Sequence, residues 1–129
     1  FWKLLNKREP RIDLVSSDAI IERGAYLVET LGHCGECHTS RNFIGGLKYG
    51  YWLGGAKNPS GRGMIPNLTP AKLTWNTEEI VEYLTSGFTP DFDVAGGHMV
   101  DVIENTSKLT DEDRLAIAKY LKAIPEVQK

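Results

Sequence analysis

Apolar residues recur at helical spacing in the segment that follows Ser17. The positions on this stripe carry apolar or small side chains and are Ile20, Gly24, Leu27 and Leu31. Intervals of three and four residues predict a helix, which Ser16 or Ser17 can cap. Glycine costs a helix interior about 1 kcal/mol relative to alanine. Gly24 therefore indicates either the close approach of another backbone or a tolerated exception.

Two later helices are marked by their ends as well as by their apolar positions. Asn76 followed three residues later by Glu79 has the pattern of a capping box, and Gly87 is suited to end that helix. Thr110 and Asp113 repeat the capping-box pattern before the last apolar stripe of the chain. These signals predict two further helices, one after each capping residue.

Between the first and second predicted helices the chain is rich in glycine and proline. Residues 39–73 hold seven glycines and three prolines and are predicted to be irregular. A loop of this length in a compact domain normally serves a site. A short amphipathic segment from His98 to Asn105 follows, and no alternating strand pattern is found. The pattern predicts an all-α domain of short helices with one long loop.

Length and composition indicate one globular domain. The chain has 129 residues, of which 41% are apolar and 25% charged, and its net charge of -2 gives no reason to expect nucleic acid as a partner. No run approaches the ~18 consecutive apolar residues that predict a transmembrane helix. We divide the chain into an N-terminal linker or juxtamembrane segment, residues 1–15, and a folded domain, residues 16–129.

The N-terminal segment mixes aromatic and basic residues. Trp2 with lysine and arginine before Pro10 is typical of a juxtamembrane collar, and the alternative is an extended linker packed on the domain. Because the first residue is Phe1 rather than methionine, we expect a processed protein or an excised piece. A signal peptide, a membrane anchor or a further domain is then expected upstream.

The strongest chemical signal lies between His33 and His38, where both cysteines of the chain occur. Cys34, Cys37 and His38 form C-x-x-C-H, the attachment pattern of a c-type haem. Two thiols on one helical turn can form thioethers with the two vinyl groups of a porphyrin, and the adjacent imidazole then reaches the iron. One haem c is predicted. Thioether attachment takes place outside the bacterial inner membrane, so a periplasmic location is expected.

Two other chemistries use the same residues. The two thiols and His38 could bind zinc together with His33 or His98, but structural zinc sites place the second ligand pair well away from the first, and no such pair follows. A redox-active dithiol would need a βαβ context, whereas this chain is predicted to be helical. Haem is therefore favoured over zinc and over dithiol chemistry.

The second axial position of a haem iron needs a ligand from elsewhere in the chain. The candidates are Met64, Met99, His33 and His98. His33 is tethered beside the proximal ligand and cannot reach across the ring. Met99 is favoured over Met64 because it follows two glycines, whose backbone can pass close to a porphyrin face. The long loop offers three candidates for the haem wall or for contacts with the haem propionates, namely Arg41, Tyr49 and Trp52. Each of them could equally pack on the surface.

Four segments of the chain carry a family resemblance. They are Arg23 to Asn42, Pro66 to Pro70, Trp75 to Tyr83 and Gly96 to Val100. They resemble, in order and spacing, the haem domains of cytochrome c subunits that serve periplasmic, membrane-associated dehydrogenases. The resemblance implies a class I cytochrome c fold, in which the N- and C-terminal helices cross beside the haem. It sets Gly24 against Tyr120 and Leu121.

The same resemblance implies roles for individual residues. The haem residues it implies are Cys34 and Cys37 as thioether sites, His38 as proximal ligand and Met99 as distal ligand. Further candidate haem contacts are Arg41, Asn67 and Trp75. His98 stands where the family usually has proline, which places a second imidazole near the distal position. Residues 71–74 are shorter than the usual insertion before the tryptophan.

The function implied by the resemblance is electron transfer and not catalysis. A single His/Met-ligated haem would relay electrons from a periplasmic dehydrogenase to a cytochrome or oxidase of the respiratory chain. The full protein is expected to be periplasmic, with a membrane anchor or a further haem domain upstream of Phe1. Two alternatives remain: a haem enzyme or gas sensor from whose iron Met99 dissociates, and a structural zinc module.

Overall fold

The computed structural model describes residues 1–5 and 18–128. Its helices are α1 (Trp2–Leu5), α2 (Ala19–Tyr26), α3 (Cys34–His38), α4 (Thr77–Ser86), α5 (Met99–Thr106) and α6 (Asp111–Ala123). The other elements are a π-helical turn (Leu27–Leu31), a 3-10 turn (Tyr49–Tyr51) and the antiparallel strands β1 (Ala56–Lys57) and β2 (Met64–Ile65). The predicted all-α class is confirmed. The division between residues 15 and 16 lies outside the described residues, as do Ser16 and Ser17. The prediction that one of these serines caps the first helix is wrong, because the cap is Asp18.

Helices α2 and α6 cross at Gly24. A Cβ atom at this position would lie 2.1 Å from the carbonyl oxygen of Ala116 and 2.7 Å from the Cβ atom of Tyr120. Both distances are far inside van der Waals contact, so no larger residue fits without separating the helices. Of the two explanations of Gly24, close backbone approach is confirmed. The expected pairing with the region of Tyr120 is confirmed as well.

The chain passes from α2 to α3 through a short, hydrogen-bonded connection. Asp18 caps α2, since its Oδ1 accepts a hydrogen bond from the Ile20 N–H at 2.9 Å. The π-helical turn closes where the N–H of Gly32 donates to the carbonyl of Leu27 at 2.7 Å. His33 then adopts a left-handed conformation (φ 50°), and α3 begins at the next residue. Helices α2 and α3 are thereby held close together.

The two predicted capping boxes differ in the structure. At α4 the box is complete: Asn76 Oδ1 accepts from the Glu79 N–H, and Glu79 Oε2 accepts from the Asn76 N–H, each at 2.8 Å. At α6 only Thr110 caps, with its Oγ1 3.2 Å from the Asp113 nitrogen. The Asp113 carboxylate instead accepts two hydrogen bonds from Arg23 of α2, at 2.9 and 3.0 Å. A long-range ion pair has replaced the second half of the box.

The long loop contributes to the core as well as to the surface. Trp52 and Leu53 are buried, and the Leu53 N–H donates to Thr39 Oγ1 at 3.0 Å. Trp52 donates from Nε1 to the hydroxyl of Tyr120 on α6 at 3.0 Å. The predicted irregular chain is confirmed, apart from the two short strands that the sequence pattern did not indicate. Trp52, a candidate haem wall residue, is packed in the core.

Arg114 joins the beginning of α6 to the end of α5. It is buried, and its Nη1 donates to the carbonyls of Thr106, Ser107 and Leu109 at 3.1, 2.9 and 2.7 Å. Its Nη2 forms an ion pair with Asp111. Carbonyls at a helix C-terminus lack partners within the helix, so Arg114 satisfies the end of α5. Among the described residues, no helix is long and apolar enough to cross a membrane.

Candidate haem site

Helix α3 places all three residues of the C-x-x-C-H pattern on one side. Cys37 and His38 lie three and four residues after Cys34, the spacings at which side chains of a helix become neighbours. Cys34 is half-buried, Cys37 is exposed, and both thiols are free. His38 is buried, with only 6% of its surface exposed. Two thiols and one imidazole therefore face a common space, as attachment of a haem requires.

The His38 ring is oriented by the long loop. Its Nδ1 lies 2.8 Å from the carbonyl oxygen of Pro66. Because a carbonyl only accepts hydrogen bonds, Nδ1 carries the proton and Nε2 keeps its lone pair. Burial lowers the pKa of His38, and the hydrogen bond to Pro66 opposes that shift only in part. The ring is thus neutral and presents the nitrogen that a metal needs.

Helix α3 rests on a buried aromatic side chain. A Cβ atom at Gly35 would lie 2.1 Å from the Trp52 ring, so only glycine lets the helix pack this closely. The same indole donates to the Tyr120 hydroxyl, and that hydroxyl donates to Glu29 Oε1 at 2.6 Å. The main-chain oxygen of His38 accepts from the Gly55 N–H at 2.7 Å. These contacts fix α3 against both the helices and the loop.

The Cys34 thiol is held in its protonated form. Burial, with a smaller contribution from the neighbouring Cys37, raises its pKa to about 11. Dithiol exchange uses the thiolate, which is scarce at neutral pH for such a group. A thioether carries no charge and is compatible with this environment.

The candidate distal ligands lie in different surroundings. Met99 is the first residue of α5, half-buried and packed against the core, whereas Met64 on β2 is 66% exposed. His98 is exposed and precedes the helix. A Cβ atom at Gly96 or Gly97 would meet no atom within 4 Å, so the backbone before Met99 borders open space. The two thiols and the neutral imidazole of α3 fit a covalently attached haem, and Met99 stays the predicted distal ligand.

The three further candidate contacts are engaged within the protein. Arg41 forms an ion pair with Glu36 and donates to the carbonyl of Gly45 at 2.8 Å. Asn67 donates to the carbonyl of Val127 at 2.8 Å. Trp75 is half-buried and packs edge-on against Tyr83, with 5.3 Å between ring centroids. A role for Arg41, Asn67 and Trp75 in haem contact stays a prediction.

Sequence reasoning missed the residue that orients the proximal ring. Pro66 acts through its carbonyl, which every residue has, so no side-chain signal marked it beyond its place in a segment that resembles the family. The tight contact of Gly35 with Trp52 was also missed, since it joins residues far apart in sequence. A cleft of about 220 Å³ is lined by Gly35 and Trp52 but by none of the three haem-motif residues.

Comparison with known proteins gives a consistent set of relatives, although no family model matches the chain. A diheme cytochrome c-type protein of Cereibacter sphaeroides is 64% identical over 130 residues, covering 98% of this chain and 43% of the relative. The cytochrome c subunit of a quinone alcohol dehydrogenase of Gluconobacter oxydans is 41% identical, covering 92% and 27%. The fructose dehydrogenase cytochrome subunit of Gluconobacter japonicus is 40% identical, covering 80% and 22%. The chain spans less than half the length of each.

Proposed function

This chain belongs to the c-type cytochrome domains, and we propose that it transfers electrons through one haem attached at Cys34 and Cys37. His38 is the proposed proximal ligand and Met99 the proposed distal ligand. The observation that carries the proposal is the orientation of the His38 ring, whose Nδ1–H is committed to the Pro66 carbonyl. A hydrogen bond of this kind fixes the tautomer and increases the basicity of the ligating nitrogen.

The proposed ligands favour electron transfer over catalysis. When bound, the haem supplies a one-electron Fe(III)/Fe(II) couple. Two protein ligands leave no open position for a substrate, so electrons would move without bond making at the metal. As a ligand, the thioether of Met99 would favour the reduced state and raise the reduction potential.

The relatives support the choice of electron donor. Cytochrome c subunits of a quinone alcohol dehydrogenase and of a fructose dehydrogenase are similar to this chain. We infer a dehydrogenase as donor and a cytochrome or oxidase of the respiratory chain as acceptor, in the periplasm. The relative with 64% identity is named a diheme protein, and this chain covers 43% of it. A further haem domain or a membrane anchor in the full-length protein is part of the proposal.

Replacing each methionine tests the distal assignment. Met99→Ala should abolish the charge-transfer band between oxidised iron and thioether sulfur, because the sulfur is gone. Met64→Ala is the matched control and should leave the band in place. Absorption spectra of the two oxidised variants decide the matter, and the opposite pattern would make Met64 the ligand. A spectrum of two histidine ligands in the unaltered protein would identify His98 instead.

Carbon monoxide and mass measurements separate the carrier from its rivals. The reduced protein should be low-spin and bind carbon monoxide poorly at neutral pH, because Met99 holds the sixth position. Rapid formation of a carbonyl spectrum would favour a haem enzyme or gas sensor. The intact mass after denaturation should still include one haem. A mass without haem, together with zinc bound to the native protein, would favour the structural zinc module.

A further inference from the structure

Charged residues are segregated along the chain on either side of Thr77. From Cys37 to Thr77 there are five lysines and arginines and no acidic residue, and from Glu78 to Ser107 there are seven acidic residues and no lysine or arginine. The basic residues are Arg41, Lys48, Lys57, Arg62 and Lys72. The acidic residues are Glu78, Glu79, Glu82, Asp91, Asp93, Asp101 and Glu104. The loop between α4 and α5 therefore lies in a stretch of one charge sign.

Within this acidic stretch, Phe92 combines full exposure with an unfavourable backbone conformation. Its side chain is 100% exposed, and its φ is 63°. A left-handed conformation costs energy for a bulky side chain, and such strain is retained where the surrounding structure imposes it. Since the ring contributes no burial to the fold, stability gives no reason for phenylalanine at this position.

The loop that carries Phe92 is closed by its own hydrogen bonds. The Thr89 N–H donates to the carbonyl of Asp93 at 2.9 Å, and the Asp93 N–H donates back to Thr89 Oγ1 at 3.0 Å. One step further out, the Ala95 N–H donates to the carbonyl of Gly87 at 2.7 Å. The backbone at Phe92 is consequently held in place, and little backbone freedom would be lost on contact.

The neighbours of Phe92 define a small surface with an apolar centre and an acidic margin. Phe88 and Val94 face each other across the base of the loop and are 56% and 59% exposed. Asp91 and Asp93 are exposed, and the ion pairs found in the described part of the chain involve neither. We call these five residues, Phe88, Asp91, Phe92, Asp93 and Val94, the Phe92 surface.

We propose that the Phe92 surface docks a protein partner that offers an apolar pocket rimmed by lysine and arginine. An exposed aromatic ring that fills a pocket is a frequent centre of binding energy, and surrounding charges of opposite sign steer association. The carboxylates disfavour an anionic lipid surface, so a protein is the occupant and a membrane is not. The identification of this partner as a redox protein rests on the proposed function; the docking itself does not.

Site-specific photocrosslinking in cells tests the docking independently of electron transfer. A photoreactive phenylalanine analogue is placed at position 92 of the full-length, haem-loaded protein, and at Phe43 as a control. Phe43 is 99% exposed but lies in the basic stretch. Crosslinked residues are mapped by mass spectrometry on the product. Attachment at position 92 to an apolar patch rimmed by basic residues supports the proposal. Equal labelling of the same product from position 43, attachment to lipid, or attachment to an acidic or uncharged patch overturns it.

Affinity for the mapped partner supplies the second measurement. Phe92→Ser should weaken binding about thirtyfold, as loss of a binding hot spot does, whereas Phe43→Ser should leave it unchanged. Phe92→Gly removes the strained side chain and should weaken binding equally while raising resistance to denaturant. Asp91→Asn with Asp93→Asn should slow association and reduce its dependence on salt. Unchanged affinity of Phe92→Ser, or weaker binding of Phe92→Gly accompanied by loss of folding, would contradict the proposal.

Discussion

The proposed proximal and distal sides of the haem site are built to different degrees by the protein itself. On the proximal side, His38 is buried, its ring is bound to Pro66, and its own carbonyl is bound to Gly55. On the distal side, Met99 is half-buried and follows a backbone that borders open space at Gly96 and Gly97. The first proposed ligand is positioned by hydrogen bonds within the polypeptide. The position of the second proposed ligand depends on how firmly α5 is held.

The largest effect is expected where α5 is joined to α6. Arg114→Ala should destabilise the protein by about 3 kcal/mol, because the substitution leaves the carbonyls of Thr106, Ser107 and Leu109 without their donor and creates a cavity. Denaturant unfolding measures the loss. Carbon monoxide binding to the reduced protein should become faster, since α5 carries Met99.

Arg62→Ala is the control for this change, because Arg62 is exposed and its removal should alter stability little. An Arg114→Ala protein that unfolds like the unaltered one would show that α5 does not need this connection.

A somewhat smaller effect is expected beneath the proximal side. Gly35→Ala should destabilise by about 2 kcal/mol, because the new methyl group overlaps the buried Trp52 ring and the gain in helix propensity offsets only part of the cost. Gly50→Ala in the long loop would meet no atom within 4 Å and should change stability by less than about 0.5 kcal/mol. Thermal unfolding of the two variants gives the comparison, and equal losses would mean that α3 is not packed tightly against Trp52.

The smallest effect concerns the ion pair between Arg23 and Asp113, which lies outside both sides. The hydrogen bonds from Arg23 hold the pKa of Asp113 below its usual range. A lowered folded-state pKa stabilises the protein above the unfolded pKa, and the contribution is lost as the pH falls through the folded value. Asp113→Asn should therefore be slightly less stable at neutral pH and equal in strong acid. A difference in stability that grows on acidification would contradict this.

Local signals in the sequence predicted the helices well because their causes are local. The capping box of Asn76 and Glu79 forms as predicted, with both partners within one helical turn. The same pattern at Thr110 and Asp113 is half-formed, because Arg23 lies ninety residues away and competes for the carboxylate. Arg23 comes close to Asp113 only because α2 and α6 cross. The residues next to Asp113 in the sequence therefore do not predict this ion pair.

For the site, the sequence predicted the haem-binding side chains but not the groups that hold them in position. The spacing of Cys34, Cys37 and His38 is a covalent requirement of haem attachment and is visible in the chain. The carbonyl of Pro66 and the ring of Trp52 act by position alone, and neither position follows from residue type. The conformation of Phe92 was equally hidden, since nothing in a phenylalanine indicates a positive φ.

The crossing of α2 and α6 also orders events in time. The hydrogen bond between Tyr120 and Glu29 joins residues 91 positions apart, so the core cannot close before the two ends of the domain meet. Contacts between residues so far apart in sequence form late in folding, because closing a long loop costs entropy. Until then α3 lacks the Trp52 and Tyr120 support beneath it, and both thiols remain accessible. Covalent attachment of the cofactor can thus precede closure of the core, and completion of the fold then encloses the modified helix.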